Sequence, residues 1–206
     1  MAVACLAAFA AAFVLWLQGS SLASTAGQKV GYADICANPD KLGLPTKDVP
    51  LPERVLSAIE IAEGSYIVLT VARHSQPSPP KSTMNFIVTH YLTALKLWLT
   101  VDHRKLTEFV ANCGYFGRDI FGVSDAAQTF FGKPLSKITA GETALLAGLL
   151  KGPFIYDPAK HPDRARQRRD MILEKMLAAG KITAADMIVA KLEPVTPAKA
   201  GGWSHV

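Results

Sequence analysis

Cysteine, paired histidine and aromatics are scarce in this chain, and each shortage excludes something. Three cysteines occur in 206 residues, none in a Cys-x-x-Cys pair, and the five histidines are scattered. A structural zinc site needs four such ligands converging, so none is expected. Cys5 lies in an apolar leader. That leaves Cys36 and Cys113, either as a disulfide in an exported protein or as two thiols packed as small apolar groups. Aromatics are 8% of the residues, and none interleaves with the densest basic cluster, Arg164, Arg166, Arg168 and Arg169. That cluster falls on an expected helix beside Asp163 and Asp170 and reads as a solvated face with local ion pairs. Without a nucleic-acid motif nearby, nucleic acid is not an expected partner. Gly122-Val123-Ser124-Asp125-Ala126 lacks the second glycine of a serine-hydrolase elbow. No internal repeat is visible.

Acidic residues are outnumbered, 17 against 22 basic, for a net charge of +5. A basic surface suits anionic lipid or a phosphorylated substrate. Apolar residues are plentiful at 50%, with 19% charged, enough to bury one core. Residues Ala2 to Leu17 are all apolar (AVACLAAFAAAFVLWL), slightly short of the roughly 20 residues that a spanning helix needs. The run reads as a membrane anchor or as a signal segment, cleaved among the small residues of Ser21 to Ala26. The expected organisation is anchor or signal over 1–23, linker over 24–52, folded domain over 53–193 and a disordered tail over 194–206.

The domain reads as mainly α. A helix starts near Pro52 and Glu53, with Val55, Leu56, Ile59 and Ala62 at helical spacing, and Gly64 ends or bends it. Tyr66 to Ala72 (YIVLTVA) is β-branched and has the composition of a strand. Gln76 to Lys81 (QPSPPK) is a break, because proline removes donors and fixes φ. The segment after Ser82-Thr83 carries apolar groups on too many faces for a surface helix, so it is central or faces lipid as well as core. Thr100 and Asp102 are cap candidates for the next helix. Ser124-Asp125 reads as an N-cap and first-turn acid. Thr139 to Glu142 reads as a capping box for a helix to Leu150, stopped by Gly152-Pro153. Asp163 to Ala179 is a further helix closed by Gly180, and Thr183 starts a short last one.

Several matches then occur in one order: Asn112, Tyr115-Phe116-Gly117-Arg118, Gly122-Val123, Ala126-Ala127, Phe130-Phe131-Gly132-Lys133, Glu142, Ala144, Leu146, Ala147, Pro153, Tyr156, Pro158, Arg169 and Met176. Each is weak alone. Together they resemble the second half of the peptidoglycan glycosyltransferase domain (glycosyltransferase family 51) of penicillin-binding proteins and monofunctional transglycosylases. Most of them read as scaffold. The resemblance implies a single lysozyme-like helical domain, helix rather than strand over 66–72, and an uncleaved anchor. It places the domain on the outer face of the cytoplasmic membrane. It implies as partners the lipid-linked peptidoglycan precursor, the membrane and other cell-wall synthesis proteins. In that family a glutamate acts as general base on an acceptor 4-hydroxyl, which attacks the anomeric carbon of a lipid pyrophosphate-linked donor. Cations stabilise the leaving pyrophosphate, with a divalent cation as the one cofactor the chemistry allows.

The catalytic motif of that family, Glu-Asp-x-x-Phe-x-x-His, is altered here. Glu63 matches the glutamate best, with Gly64 in place of the aspartate and Ile67 in place of the phenylalanine. Glu60 is the second candidate, under a shifted alignment. The bland reading of either is a solvated carboxylate on a helix. Of Gly-Gly-Ser-Thr-x-x-Gln-Gln-x-x-Lys, Ser82 and Thr83 remain as substrate-binding candidates, although Ser82 equally reads as a helix cap. Phe86 and Ile87 replace the glutamines, and His90 replaces the lysine, charged only when protonated. Arg104-Lys105-Leu106-Thr107-Glu108 spells the next motif, Arg-Lys-x-x-Glu, but its distance from Asn112 aligns Glu108 with the later Ile-Leu-Glu-x-Tyr-Leu-Asn. Glu108, Asn112 and Arg118 complete the binding candidates, with Arg118 or Arg104 near pyrophosphate. Both intervals, Glu63 to Ser82 and Ser82 to Asn112, are shorter than the family's. That favours reduced or absent turnover, and a relative that binds precursor or a cell-wall partner is the alternative.

Overall fold

A computed structural model describes residues 51–74 and 83–195. The leader, the linker up to residue 50, Cys36, Ser82 and the tail beyond residue 195 lie outside them. Eight α-helices follow in order among the described residues: α1 Glu53–Glu63, α2 Tyr66–His74, α3 Thr83–Thr100, α4 His103–Cys113, α5 Val123–Phe131, α6 Ala140–Leu149, α7 Pro162–Ala178 and α8 Ala184–Leu192, with a 3-10 turn at Leu135–Lys137. These residues form no sheet; an isolated antiparallel bridge joins Tyr115 and Phe121. Residues 72–74 and 83–100 belong to one compact unit, and residues 51–71 and 101–195 to another.

The larger unit is built around α6. This helix buries Thr143, Ala144, Leu145, Leu146, Ala147 and Leu149 together with both its glycines, so it has no solvent face and must be central. It packs against α1, α5, α7 and α8. The expected capping box starts it: Thr139 Oγ1 accepts from Glu142 N at 3.1 Å and Glu142 Oε2 accepts from Thr139 N at 2.8 Å. A second box, Thr183 with Asp186, starts α8. Asp102 rather than Thr100 caps α4, accepting from Arg104 N at 2.8 Å.

Glycine at 64 ends α1 with φ of +53°, its N–H donating to Glu60 O at 2.7 Å. The chain turns there by 91° into α2. Composition suggested a strand over 66–72, yet Ile67, Val68 and Val71 are buried together at helical spacing while Tyr66 is exposed. One-sided burial at that spacing overrides β-branching. No single helix among the described residues is long and apolar enough to cross a membrane. The α1–α2 pair passes on length and composition, but α1 buries its apolar face against α4, α6 and α7 and is a core helix.

Two expectations are corrected. Ser124 does not cap α5: the helix begins at buried Val123, and Gly122, at φ of +86°, makes the entry. Burying Val123 draws it into the first turn and leaves Ser124 exposed. The arginine cluster of α7 is only half a solvated face. Arg164 and Arg166 are exposed, but Arg169 is 1% exposed. Arg169 Nη1 donates to Glu193 O at 2.7 Å and Nη2 to Lys191 O at 3.0 Å, while Nε donates to Asp170 at 2.9 Å. It satisfies carbonyls at the end of α8 that have no helical partner.

The smaller unit contributes α3, which exposes Ile87, Val88, Tyr91, Leu92, Leu95, Trp98 and Leu99 and buries Ala94 and Leu97. Its apolar residues are therefore spread around the helix, as the sequence indicated.

Candidate functional site

Glu63 occupies the last turn of α1, one turn beyond buried Ile59, and this spacing carries its carboxylate inward. Its side chain is 5% exposed. Oε1 is buried and accepts no hydrogen bond among the described residues. Two cations flank it. Arg168, from α7, brings Nη2 to 3.9 Å from Glu63 Oε1 and donates from the same nitrogen to Ala62 O at 3.1 Å. Its guanidinium lies 5.8 Å from the ring centroid of Tyr156. Glycine at 148 makes this approach feasible, since a Cβ there would sit 3.0 Å from Arg168 Cγ. Lys151, just past α6, holds Nζ 3.5 Å from the ring centroid of Tyr66 at the start of α2.

Burial pushes the Glu63 carboxyl above the ordinary carboxylate range, and the charges of Lys151 and Arg168 offset only part of that. The result is a desolvated acid with one oxygen awaiting a donor, which suits a proton acceptor.

Glu60 stands apart. Its side chain is 55% exposed, with His103 Nε2 at 3.7 Å from Oε1, and its environment is that of a surface carboxylate. Arg118 sits in a tight turn, Gly117 to Ile120, closed by Ile120 N donating to Gly117 O at 2.9 Å. Arg118 and Asp119 both have positive φ, 55° and 58°, a conformation costing about 1–2 kcal/mol per residue. Asp157 holds the turn: Arg118 Nη2 donates to its two oxygens at 2.8 and 2.9 Å, and Nε donates at 3.3 Å. Beside it, Tyr115 packs against the exposed rings of Phe121 and Phe154 at 5.1 and 6.1 Å. Arg104 is shared between Glu53 at 2.9 Å and Glu108 at 3.2 Å. Asn112 Nδ2 donates one turn back to Glu108 O at 2.9 Å. Thr83 opens α3 in the smaller unit.

The structure thus gathers Glu63, Lys151, Arg168, Tyr66 and Tyr156, of which sequence reasoning had only Glu63 as a site residue. No three His, Cys, Asp or Glu side chains among the described residues could hold a metal ion. The groups around Glu63 are cations, a donor set that does not fit a divalent metal.

A family model described as Transglycosylase matches residues 64–177. The chain belongs to the transglycosylase family. Penicillin-binding protein 1A of Aquifex aeolicus is 39% identical over 117 residues, covering 57% of this chain and 16% of that protein. A Cupriavidus necator protein named as a transglycosylase is 36% identical over 137 residues, covering 66% of this chain and 59% of that one. The crystal structure of penicillin-binding protein 1A from Haemophilus influenzae overlays with a TM-score of 0.49 at 24% identity, over 76% of this chain and 18% of that one. This transglycosylase-family chain therefore spans less than two thirds of the length of these relatives. The matched residues begin immediately after Glu63, so its separation from Glu60 comes from burial and charge.

Proposed function

We propose that this chain is a peptidoglycan glycosyltransferase-type protein of cell-wall assembly in which Glu63 is the general base. One observation carries the reading: a buried carboxylate with a raised pKa, an oxygen lacking a donor, and two cations alongside. The acceptor 4-hydroxyl donates to Glu63 and then gives up its proton. The bond from that oxygen to the donor's anomeric carbon forms, the bond from that carbon to phosphate oxygen breaks, and lipid pyrophosphate leaves with the electron pair. A base with a raised pKa drives this transfer better than an ordinary carboxylate. Ser82, Thr83, Glu108 and Asn112 are proposed for substrate contact, as the family's motifs suggest. The apolar leader and the exposed apolar surface of α3 support a membrane-apposed position on the outer face, with the lipid-linked precursor as substrate and the folded domain running from 53 to 193.

A second reading, precursor binding without turnover, is favoured by a different observation. Arg118, a candidate for pyrophosphate, is engaged by Asp157. Phe86 and Ile87 stand where the family has glutamines. The test is incubation of the purified full chain in liposomes with lipid-linked disaccharide-pentapeptide. Glycan polymer supports the transferase reading. Precursor that binds and stays unchanged supports the second, and absence of binding rejects both.

A further inference from the structure

Cys113 is the last residue of α4 and is enclosed, at 5% exposure. It is disulfide-bonded. Its surroundings hold it in place. Gly114 caps α4 by donating to Val110 O at 2.8 Å, and a Cβ at 114 would collide with that carbonyl and with Leu150 Cδ2. Gly122 N then donates to Gly114 O at 2.9 Å, so the segment that carries Arg118 is closed at the same point. The end of α4 is therefore a fixed anchorage for whatever its sulfur holds.

The chain has two other cysteines, Cys5 and Cys36, both outside the described residues. A disulfide forms by attack of a thiolate, and a charged sulfur needs a polar medium. Cys5 is inside the all-apolar run from Ala2 to Leu17, whereas Cys36 stands among Asp34, Asn38, Asp40 and Lys41. The linker is also long enough. Glu53, at the start of α1, meets Arg104 of α4 at 2.9 Å, and Cys113 lies about 14 Å further along that helix at the helical rise. The 16 residues from Cys36 to Pro52 span up to about 50 Å.

We propose that Cys36 and Cys113 form a disulfide that fastens the linker to the end of α4 and shortens the tether between leader and domain. The thiolate of Cys36 attacks the disulfide of an oxidised protein dithiol and expels one of its sulfurs as thiolate. The thiolate of Cys113 then attacks the Cys36 sulfur of that mixed disulfide and expels the second. Two thiols of this chain give up two protons and two electrons, and the oxidant leaves as a dithiol. Oxidants of that class act outside the cytoplasm, so fastening follows export; this rests on the outer-face placement proposed above. Unfastened, 36 residues lead from Leu17 to Glu53; fastened, 19 lead from Leu17 to Cys36. The reach of the tether falls to about 65 Å, which keeps the domain close to a lipid-linked substrate. The bridge closes a loop of 77 residues in the unfolded chain (36 to 113) and one of 16 in the folded chain (36 to 52). By loop-closure entropy that difference favours the folded state about tenfold.

The test takes the full chain from cells treated with N-ethylmaleimide at lysis, digests it without reduction and reads the peptides by mass spectrometry. A peptide pair joining Cys36 to Cys113, released by dithiothreitol, is expected. Denaturant unfolding in detergent micelles gives a second readout. Dithiothreitol should lower the folding equilibrium constant of wild type and of Cys5→Ser about tenfold, and should leave Cys36→Ser unchanged. A Cys5–Cys113 pair, a bridge between two chains, or dithiothreitol sensitivity that survives in Cys36→Ser would overturn the proposal. So would Cys36 and Cys113 thiols that are alkylated in cells and stay unpaired when the purified chain is treated with oxidised glutathione. Failure of the outer-face placement alone looks different: thiols alkylated in cells that then pair as Cys36–Cys113 in oxidised glutathione.

Discussion

Arg168 Nη2 donates to the carbonyl of Ala62 at 3.1 Å yet stands 3.9 Å from Glu63 Oε1. The guanidinium therefore holds the end of α1 without hydrogen-bonding the acid next to it. An acid left so in a buried place is costly to ionise, and that cost should be measurable as stability.

Glu63 is raised above the ordinary value chiefly by burial. A folded pKa above the unfolded one means that the native state holds more protons between the two. The stabilising contribution is complete below the unfolded value and is lost as pH rises through the folded one. Glu63→Gln should remove this loss. The variant is expected to unfold at higher temperature than wild type at pH 7, by about 0.5–2 kcal/mol, the usual size of such relief. The gap should shrink toward pH 4. Thermal melts across that range check it, and a variant less stable than wild type at pH 7 contradicts the burial argument.

The Arg118–Asp157 pair is largely enclosed, with side-chain exposures of 26% and 10%. Breaking a buried pair from one side leaves an uncompensated charge. Arg118→Ala and Asp157→Ala should each cost about 2–3 kcal/mol, below the full buried-pair range because Arg118 is partly wet. The double variant should lose about as much as either single one. Denaturant unfolding of the three variants measures the coupling, and additive losses would contradict it.

Asp119 is exposed and left-handed at φ of +58°. Glycine accepts that conformation without the Cβ penalty, at some entropic cost in the unfolded chain. Asp119→Gly should therefore gain up to about 1 kcal/mol. A loss of stability would mean that the aspartate side chain contributes a contact that outweighs the relief.

Arg169→Met retains volume and deprives two carbonyls at the end of α8 of their donors. A loss of about 2–4 kcal/mol is expected, from two hydrogen bonds to a charged group. Amide exchange should accelerate first over 184–192 while α6 stays protected. Uniform acceleration through both helices would instead mean that Arg169 supports the core as a whole.

Much of the fold was legible because local signals agreed with it. Both capping boxes, the stop at Gly64 and the end near Gly180 depend on residues close in sequence. The strand-like composition of 66–72 misled, because β-branching is weak against the pattern of burial that puts Ile67, Val68 and Val71 on one side. Glu63 was singled out by family resemblance alone; that it is buried, one turn after Ile59, is what the structure adds. Arg169 was also readable in principle, since Ala165, Arg169, Ile172, Leu173 and Met176 form one buried stripe; nearby aspartates drew attention to surface pairing instead. Lys151 and Arg168 could not be placed beside Glu63 from sequence. They lie 88 and 105 residues away from it, on segments whose approach depends on α6 packing between α1 and α7.

The central claim is that Glu63, and not Glu60, takes the acceptor's proton. The direct measurement is polymerisation of lipid-linked disaccharide-pentapeptide by wild type, Glu63→Gln and Glu60→Gln in parallel. Polymer from wild type and from Glu60→Gln, with at least a hundredfold loss in Glu63→Gln, is the expected result, about the contribution of a positioned general base. Polymer from Glu63→Gln at the wild-type rate, or its loss only in Glu60→Gln, would contradict the assignment.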